Sequence, residues 1–256
     1  MSDQRTSEAF GLNGRVAIVT GGSRGIGLAI ARGFARAGAK VVVASRKADA
    51  CAAAVKEIEA AGGQALAVPA HMGELAALQS LVNRTVGHFG GIDILVNNAA
   101  NGLAQPLGEF TLEAWEKSLA VNLRGPVFLT QYALPYLRLS QHASVINVLS
   151  ASVFAGSGPM ALYDVGKSGL LAFTRSMAHE FAPAGIRVNA LAPGTVDTDM
   201  TRSNGPERFA YMAKSSPLGR MADTEEMVGP ALLLASDAGS YITGQALSAD
   251  GGLTVH

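Results

Sequence analysis

Short apolar runs alternate along this chain with longer stretches of helical periodicity. The runs are apolar at consecutive positions, which is typical of parallel strands covered by helices on both faces. The alternation predicts an α/β protein in which a parallel sheet lies between two layers of helices. The predicted strands are residues 15–20, 40–44, 64–69, 92–97, 144–149, 186–192 and 245–249.

No linker, low-complexity tract or internal repeat divides the 256 residues. One hydrophobic core is ordinary for an α/β chain of this length, so we expect a single domain over residues 1–256. Its first part, residues 1–11, is predicted to be an N-terminal tail. Residues 197–217 are rich in Ser, Met, Gly and Pro, and they predict an irregular, mobile lid over a substrate.

A glycine-rich turn follows the first predicted strand and opens a helical pattern. It reads Thr20-Gly21-Gly22-Ser23-Arg24-Gly25-Ile26-Gly27. Glycines let the backbone approach a pyrophosphate closely, and the first turn of a helix directs unpaired N–H groups and a positive dipole end toward it. A glycine turn without a ligand is the alternative, but a turn between strand and helix in a strand–helix–strand unit is typical of a dinucleotide site.

Tyr163 and Lys167 lie four residues apart on a predicted helix, so their side chains stack on one face. An ammonium group beside a phenol favours the phenolate, which predicts a lowered pKa for Tyr163 and proton exchange near neutral pH. An ordinary pair on a solvated helix face is the alternative. The helix is indicated by one apolar stripe, which consists of Leu170, Phe173, Met177 and Phe181.

Two further residues extend this candidate catalytic group. Ser150 follows a predicted strand, so its hydroxyl lies at a carboxyl end and can donate to a substrate oxygen; a serine that caps the next turn is the alternative. Asn122 precedes Pro126 by four residues in the amphipathic stretch 112–139. Because proline has no N–H, the Asn122 carbonyl is free to hold a water that relays protons; an ordinary proline kink is the alternative.

The composition argues against several classes of partner. The formal net charge is zero and Lys and Arg do not cluster, so we expect neither nucleic acid nor a membrane surface as a partner. No apolar run reaches membrane-spanning length and the polar start has no signal-peptide pattern, so we expect a cytoplasmic protein. The lone Cys51 predicts a structural thiol, and no His, Cys and Asp cluster predicts a metal site.

Taken in chain order, these motifs resemble the classical short-chain dehydrogenase/reductase family from about residue 12 to residue 252. The order also includes Asn97-Asn98-Ala99-Ala100 and Pro193-Gly194-Thr195-Val196-Asp197-Thr198. The resemblance implies a single-domain, Rossmann-like, doubly wound fold with a seven-stranded parallel sheet flanked by helices. It also implies a homotetramer with four-helix contacts between subunits, which involve stretches like 112–139.

The resemblance assigns roles to the candidate residues. Tyr163 becomes the general acid/base, Ser150 polarises the substrate carbonyl, and Lys167 holds the nicotinamide ribose. Asn122 keeps a relay water through its main-chain carbonyl. The implied reaction is hydride transfer that interconverts a carbonyl and a secondary alcohol of a small molecule. The implied cofactor contacts are Gly21, Ser23, Arg24, Gly25, Ile26, Gly27, Ser45, Arg46, His71, Met72, Asn98, Ala99, Ala100, Tyr163, Lys167, Pro193, Gly194, Val196 and Thr198.

The end of the second predicted strand indicates which nicotinamide cofactor is preferred. NAD-dependent members of the family resemble one another in an Asp at this point, where this chain has Ser45 and then Arg46. Arg46 and Arg24 suit the 2′-phosphate of NADP, so we expect NADP(H) to be preferred over NAD(H); two solvated arginines are the alternative. His71 stands where an Asp commonly contacts the adenine, so we expect stacking or a hydrogen bond there.

Two alternative functions remain open at this point. Reductases of 3-oxoacyl thioesters resemble one another in arginines before the fifth strand and on the catalytic helix, where this chain has Gln141 and His179. A non-catalytic NADP-sensing protein is the second alternative, although such members usually lack the Tyr or the Lys. Enoyl reductases of the family have a wider Tyr-to-Lys spacing. An apolar substrate pocket is indicated by Phe154, Met160, Met200, Tyr211 and Met212.

Overall fold

The computed structural model of the protein describes residues 8–158, 160–203 and 205–254. Seven parallel strands form one sheet in the order β3-β2-β1-β4-β5-β6-β7. The strands are β1 (Val16–Thr20), β2 (Lys40–Ser45), β3 (Gln64–Pro69), β4 (Ile94–Asn97), β5 (Ser144–Val148), β6 (Arg187–Pro193) and β7 (Ala246–Ala249). The predicted parallel sheet is confirmed, and each strand begins and ends within two residues of its predicted bounds.

Helices connect successive strands across both faces of the sheet. Within the described residues none of them combines the length and apolarity needed to cross a lipid bilayer. The α-helices are α1 (Gly25–Arg36), α2 (Ala48–Ala60), α3 (Leu75–Phe89), α4 (Leu112–Leu119), α5 (Gly125–Leu137), α6 (Ser152–Ala155), α7 (Ala161–Phe181), α8 (Asp199–Arg202), α9 (Pro206–Ala213) and α10 (Val228–Ala235).

Alternate side chains of a strand enter two hydrophobic cores, one on each face of the sheet. In β1, Ala17 and Val19 belong to the core that α1, α2 and α10 complete. Ile18, between them, belongs to the core that α3, α5 and α7 complete. Strands buried on both faces explain why the runs in the sequence are continuously apolar.

The apolar stripe of α7 is only partly buried. The helix that the stripe indicated is confirmed; Leu170, Met177 and Phe181 are buried in it, whereas Phe173 is 41% exposed. The reason is the placement of α7, whose buried side packs against β6 and the neighbouring helices and leaves the face of Phe173 uncovered by the described residues.

The amphipathic stretch 112–139 is broken rather than continuous. A π-helix at Ala120–Arg124 separates α4 from α5, and the N–H of Gly125 donates to the carbonyl of Ala120 across it. Pro126 lies in the first turn of α5, where its missing N–H costs little. The break predicted from Pro126 therefore takes the form of a π-helix, a feature frequent at functional sites.

Residues 197–217 contain two short helices, so the prediction of an irregular segment is wrong for α8 and α9. The Thr198 hydroxyl caps α8 by accepting from the Thr201 N–H, and Pro206 opens α9 at a position that suits proline. Asn204 of the predicted lid lies outside the described residues. Residues 1–7 of the predicted tail do so as well.

The sheet has its topological switch point between β1 and β4. From β1 the chain proceeds outward to β2 and β3 on one side, and from β4 to β5, β6 and β7 on the other. In such sheets ligands bind in the crevice at the carboxyl ends of the strands at this point. The predicted site segments that follow β1, β2, β3, β4, β5 and β6 all start at this edge.

Candidate active site

The glycine turn between β1 and α1 packs closely against the loop that follows β4. Gly21 has φ of 65°, and a Cβ added there would lie 2.8 Å from Asn98 Nδ2. A Cβ on Gly27 would lie 2.3 Å from the Gly21 carbonyl oxygen. Packing alone therefore requires glycine at two of the three glycine positions among the predicted cofactor contacts of this turn. Ile26, between them, is half-buried against the first core.

Gly25 differs from these two glycines because its surroundings are open. Its φ is 53°, and a Cβ there would meet only the Thr198 side chain, 3.4 Å from its Cγ2. The helix that begins at Gly25 has Arg24 as its N-cap, and this residue provides no side-chain cap to the N–H groups of the first turn. Uncapped N–H groups beside an open glycine fit a phosphate group.

Thr20 connects β1 to the loop after β4, a connection that the sequence analysis missed. Its hydroxyl donates to the Val96 carbonyl (3.1 Å) and accepts from the N–H groups of Asn98 (3.0 Å) and Ala99 (3.1 Å). In return, Asn98 Nδ2 donates to the Thr20 carbonyl (2.8 Å). These bonds hold Asn98 and Ala99 beside the glycine turn, and the half-buried Ala100 follows them.

The end of β2 contacts the glycine turn through a pair of hydroxyl groups and presents an exposed arginine. Ser23 Oγ donates to Ser45 Oγ (2.8 Å), which joins the glycine turn to the strand end. Arg46 is exposed and makes no ion pair within the described part of the chain. Arg24 is instead paired with α8, since its Nη1 lies 3.2 Å from Asp199 Oδ2 with both side chains 68% exposed.

His71 and Met72 follow β3 at the same edge. His71 Nδ1 accepts a hydrogen bond from the Gly73 N–H (3.0 Å), so the neutral ring carries its proton on Nε2. His71 is half-buried and Met72 is buried. The ring can therefore donate a hydrogen bond from Nε2, whereas an Asp at this position could only accept.

The predicted catalytic residues Ser150, Tyr163 and Lys167 lie together beside the end of β5. Lys167 Nζ lies 5.6 Å from the centroid of the Tyr163 ring, as their spacing on α7 predicts. The Tyr163 hydroxyl is hydrogen-bonded to the Ser150 side chain. Lys167 is buried and donates from Nζ to the Val148 carbonyl of β5 (2.6 Å).

Burial controls the pKa of both the tyrosine and the lysine. Desolvation of the hydroxyl raises the pKa of Tyr163 to about 12; the Ser150 hydrogen bond opposes this rise and the charge of Asp164 adds to it. Desolvation lowers the pKa of Lys167 to about 8. The predicted lowering of the Tyr163 pKa is therefore wrong, because the loss of water around the phenol outweighs the Ser150 hydrogen bond. At neutral pH Tyr163 is a protonated phenol that can donate.

Asn122 lies in the π-helix with its side chain fully buried. Its Oδ1 accepts from the Asn101 N–H (3.0 Å), and its Nδ2 donates to the Asn101 carbonyl (2.9 Å). A Cβ on Gly166 would lie 2.7 Å from Asn122 Cβ, so glycine at this position lets α7 approach the π-helix. Asn122 thus contacts α7 one residue before Lys167, and its carbonyl has no N–H available from Pro126.

The segment after β6 borders the glycine turn from the other side. A Cβ on Gly194 would lie 2.6 Å from Asp250 Cα, so packing requires a glycine there. Pro193 ends β6 and Val196 is buried. Thr198 is the predicted contact that faces Gly25, as the distance to its methyl group shows.

Two residues that the sequence analysis missed, Ser152 and Asp164, are hydrogen-bonded to each other beside Ser150 and Tyr163. Ser152 Oγ lies 2.9 Å from Ser150 Oγ and donates to Asp164 Oδ1 (2.6 Å). Ser157 Oγ donates to Asp164 Oδ2. The available signal was proximity in sequence, since these residues follow Ser150 by two positions and Tyr163 by one; which hydroxyl meets the carboxylate depends on how α6 packs on α7.

Part of the predicted apolar pocket converges near this group. A Cβ on Gly102 would lie 3.1 Å from Met200 Sδ and 3.7 Å from Met160 Cε, so the two methionines border the same space. Tyr211 is 75% exposed, and Phe154 packs against the small core that contains Leu170. The structure thus brings Met160 and Met200 together, and the participation of the two aromatic residues in a substrate pocket stays a prediction.

A doubly wound sheet with a glycine turn at its switch point and a Ser, Tyr and Lys group beside it defines a Rossmann-type oxidoreductase. A family model described as enoyl-(acyl carrier protein) reductase matches residues 21–254. The chain is 40% identical over 247 residues to a 3-oxoacyl-[acyl-carrier-protein] reductase from Synechocystis sp., covering 95% of this chain and 98% of that protein. The chain belongs to the short-chain dehydrogenase/reductase family.

Two further comparisons concern proteins whose names include a cofactor. The chain is 37% identical over 249 residues to an L-rhamnose 1-dehydrogenase (NAD(P)(+)) from Azotobacter vinelandii, covering 94% of this chain and 97% of that protein. It is similar to the crystal structure of a blue fluorescent protein from a metagenomic library in complex with NADPH. The TM-score is 0.90 at 37% identity, with 95% of this chain and 99% of that chain covered.

Proposed function

We propose that the protein is an NADP(H)-dependent oxidoreductase that interconverts a carbonyl and a secondary alcohol on a small molecule, with Tyr163 as the general acid/base. The observation that carries the proposal is the convergence of Ser150, Tyr163 and Lys167 at the carboxyl end of β5, beside the topological switch point. A proton donor in a crevice that fits a dinucleotide is the arrangement that carbonyl reduction requires.

Each side chain has a separate role in the proposed reaction. When bound, the nicotinamide supplies or takes the hydride. Tyr163 holds its proton at neutral pH because burial raises its pKa to about 12, so it can donate to the oxygen of a carbonyl under reduction. Lys167 presents a buried ammonium group beside that phenol and could hold a ribose hydroxyl. Met160 and Met200 would exclude water from the reacting carbon.

Three features support NADP(H) as the preferred cofactor. Position 45 is a serine, whereas an acidic side chain at this position would repel a 2′-phosphate. The exposed Arg46 can offer a forked guanidinium to that phosphate, and Arg24 lies in the adjoining glycine turn. One similar structure was solved with NADPH, whereas the name of the rhamnose dehydrogenase includes both cofactors.

A substrate panel tests the proposed activity. Purified protein is assayed with NADPH and with NADP⁺ against ketones, sugars, steroids and 3-oxoacyl thioesters, each paired with its alcohol, and NADPH absorbance is recorded. We expect turnover on at least one carbonyl and alcohol pair, and we expect Tyr163→Phe to abolish most of it. Binding of NADPH without turnover on any pair would favour the NADP-sensing alternative instead.

The 3-oxoacyl-thioester alternative is favoured by one comparison and disfavoured by two residues. The cyanobacterial relative is named as a reductase of this kind. The chain has Gln141 and His179 where reductases of this kind resemble one another in carrier-docking arginines. The spacing of Tyr163 and Lys167 is that of carbonyl reductases rather than of enoyl reductases. Saturation by an acyl-carrier-bound substrate at much lower concentration than by the corresponding small thioester would establish this alternative.

A homotetramer is the assembly that we propose. Apolar side chains on α4 and α7, which pack against each other, are exposed: Leu112 (73%), Trp115 (40%), Val165 (45%) and Phe173 (41%). A second copy of the same helix pair would cover them and form a four-helix contact. Light scattering at micromolar concentration tests this, and a monomer would refute it.

A further inference from the structure

His71 closes the turn that follows β3, partly with its own ring. The Glu74 N–H donates to the His71 carbonyl (3.0 Å), and the Gly73 N–H donates to His71 Nδ1 (3.0 Å). A Cβ on Gly73 would lie 3.1 Å from His71 Cε1, so glycine at this position lets the ring lie against the turn. These two hydrogen bonds restrain both the backbone of the turn and the orientation of the ring.

The hydrogen bond to Nδ1 determines what the other side of the ring offers to a ligand. A neutral imidazole has one acceptor nitrogen and one N–H, so a ring that accepts at Nδ1 carries its proton on Nε2. No acceptor of the described residues is hydrogen-bonded to Nε2, and the ring is half-buried. His71 therefore presents an unused donor at the carboxyl edge of the sheet.

An aspartate at position 71 would close the same turn but present the opposite polarity. One carboxylate oxygen would accept from the Gly73 N–H, and the second oxygen would remain an acceptor. In this chain Nδ1 takes the place of the first oxygen, and the Nε2–H donor takes the place of the second. A ligand group that faces His71 must then accept a hydrogen bond rather than donate one.

The turn lies beside the proposed position of the cofactor. The Ala70 N–H donates to the carbonyl of Ser45 (2.9 Å), whose hydroxyl contacts the glycine turn through Ser23. His71 is the next residue after this bond, where the chain leaves the edge strand β3. A dinucleotide whose pyrophosphate lies at the glycine turn places its adenosine half over the ends of β2 and β3.

Arg124 holds the same turn from the opposite side. Its Nη2 donates from the π-helix to the Gly73 carbonyl (2.9 Å). The next residue, Gly125, packs so closely on the turn that a Cβ there would lie 2.3 Å from the Met72 carbonyl oxygen. Arg124 thus fixes the carbonyl of the residue whose N–H orients the His71 ring.

We propose that His71 binds the base of the dinucleotide as a hydrogen-bond donor through Nε2–H, and that Arg124 is the positioning residue that keeps this donor in place. Adenine offers ring nitrogens to such a donor, whereas its amino group suits an acceptor. The proposal rests on the proposed function, since it requires the adenosine half of NADP(H) to occupy this edge. The contact has the opposite polarity to that of the Asp commonly found at this position.

A cofactor with an altered base tests the polarity of this contact. In reduced nicotinamide hypoxanthine dinucleotide phosphate a carbonyl oxygen replaces the amino group of adenine, so this position accepts instead of donating. His71→Asn and His71→Asp are the matched variants. Both keep an oxygen for the Gly73 N–H, but Asn has an N–H donor beside it and Asp has only a second acceptor. Calorimetry measures both dinucleotides with each protein at about pH 8, where a free histidine is neutral.

The quantity compared is the dissociation constant of the hypoxanthine cofactor divided by that of NADPH. We expect this ratio to be at least about tenfold higher in His71→Asp than in the wild type, because a carboxylate has no proton to share with a carbonyl oxygen. His71→Asn should have a ratio close to that of the wild type. Ratios that agree within about twofold in all three proteins would refute the donor role of His71.

Adenosine 2′,5′-bisphosphate, which contains only the adenosine half of the cofactor, tests Arg124. Arg124→Ala should weaken its binding by about two- to tenfold, the effect of one hydrogen bond, and Arg124→Lys should retain most of the affinity. Arg84→Ala is the control and should bind like the wild type, because Arg84 also donates from Nη2 to a carbonyl near this edge, that of Ala67 in β3 (3.3 Å), but not to the turn.

A double-mutant cycle shows whether Arg124 acts through His71. In a His71→Ala background, Arg124→Ala should cause no further loss of affinity for the bisphosphate. An equal loss in both backgrounds would show that Arg124 acts through its charge, and it would refute the positioning role.

The outcomes separate this proposal from the proposed function. Tm is measured for every variant, so that affinities are compared among folded proteins. Tight binding of NADPH with a ratio that does not respond to residue 71 would refute the base contact alone. A wild-type protein that binds neither dinucleotide would refute the proposed function and the base contact together.

Discussion

The ammonium group of Lys167 lies 5.6 Å from the centre of the Tyr163 ring and donates its hydrogen bond to the backbone of β5. The two side chains are neighbours on α7. Burial raises the pKa of Tyr163 and lowers the pKa of Lys167, so it disfavours the charged form of each. The tyrosine is therefore protonated across the physiological range, while the lysine loses its proton near pH 8. A protonated phenol at this position can donate a proton at neutral pH, as the proposed carbonyl reduction requires.

Replacement of Tyr163 by phenylalanine should lower turnover by about two to four orders of magnitude, the usual contribution of a general acid. The ring and its packing remain, so NADPH affinity and Tm should change much less. Stopped-flow kinetics and fluorescence titration measure the two quantities. Tyr136→Phe, the same change at a half-buried position on α5, serves as the control and should stay active. Near-normal turnover by Tyr163→Phe on the best substrate would contradict the assignment.

Lys167→Met should change how stability depends on pH. The pKa of Lys167 is about 8 in the folded protein against 10.5 in an unfolded chain, so between these values the unfolded state binds more protons and stability rises with pH. The free energy of unfolding of the wild type, relative to that of Lys167→Met, should rise by about 2 kcal/mol from about pH 7 to about pH 9.5. Denaturant titrations at both pH values measure this, and a constant difference would show that the lysine pKa is not lowered.

Arg46→Asp should move the cofactor preference from NADP(H) toward NAD(H). The substitution would remove the proposed partner of the 2′-phosphate and introduce a carboxylate, which would repel that phosphate and accept from a 2′-hydroxyl. Calorimetric titration should show at least a tenfold loss of NADP⁺ affinity, corresponding to about 1.4 kcal/mol. Arg138→Asp, the same charge change on an exposed arginine beyond α5, controls for net charge. An equal loss of NADP⁺ affinity in both variants would show that Arg46 does not contact the 2′-phosphate.

Asp199→Asn should strengthen NADP(H) binding by a few-fold. In the structure Arg24 is paired with Asp199, so a 2′-phosphate must compete with this carboxylate for the guanidinium. The pair is exposed, and such pairs contribute at most about 1 kcal/mol, which sets the upper limit of the gain. Titration at low and high salt should show the difference shrink as salt screens the pair. Unchanged affinity at low salt would mean that Arg24 does not reach the phosphate.

Gly25→Ala and Gly27→Ala should differ in their effects on stability and on NADPH binding. A Cβ on Gly27 would lie 2.3 Å from a backbone oxygen, so Gly27→Ala should lower stability, by roughly 1–3 kcal/mol. Gly25 meets only a flexible threonine methyl, although its φ of 53° costs an alanine roughly 1–2 kcal/mol. Gly25→Ala should also weaken NADPH binding, because its methyl enters the space assigned to the pyrophosphate. Thermal melts with and without NADPH separate the effects.

Local patterns in the sequence were sufficient for the fold class and for much of the site. Runs that are apolar at consecutive positions can only be buried on both faces, which determines a parallel sheet between helices. The four-residue spacing of Tyr163 and Lys167 and the missing N–H of Pro126 act within one or two helical turns, so the stacked pair and the break at 120–124 follow from the chain itself.

The tertiary structure determined the pKa shifts, which depend on exposure to water, and the contacts between residues that are distant in sequence. Burial of the Tyr163 hydroxyl reverses the predicted direction of its pKa shift, because desolvation depends on what packs around the residue rather than on its neighbours in sequence. Arg24 meets Asp199 and Ser152 meets Asp164 only because α8 lies beside the glycine turn and α6 lies beside α7. The sequence specifies which polar groups the chain has. Which of them form hydrogen bonds depends on the packing of helices and strands, because partners must come within about 3 Å of each other.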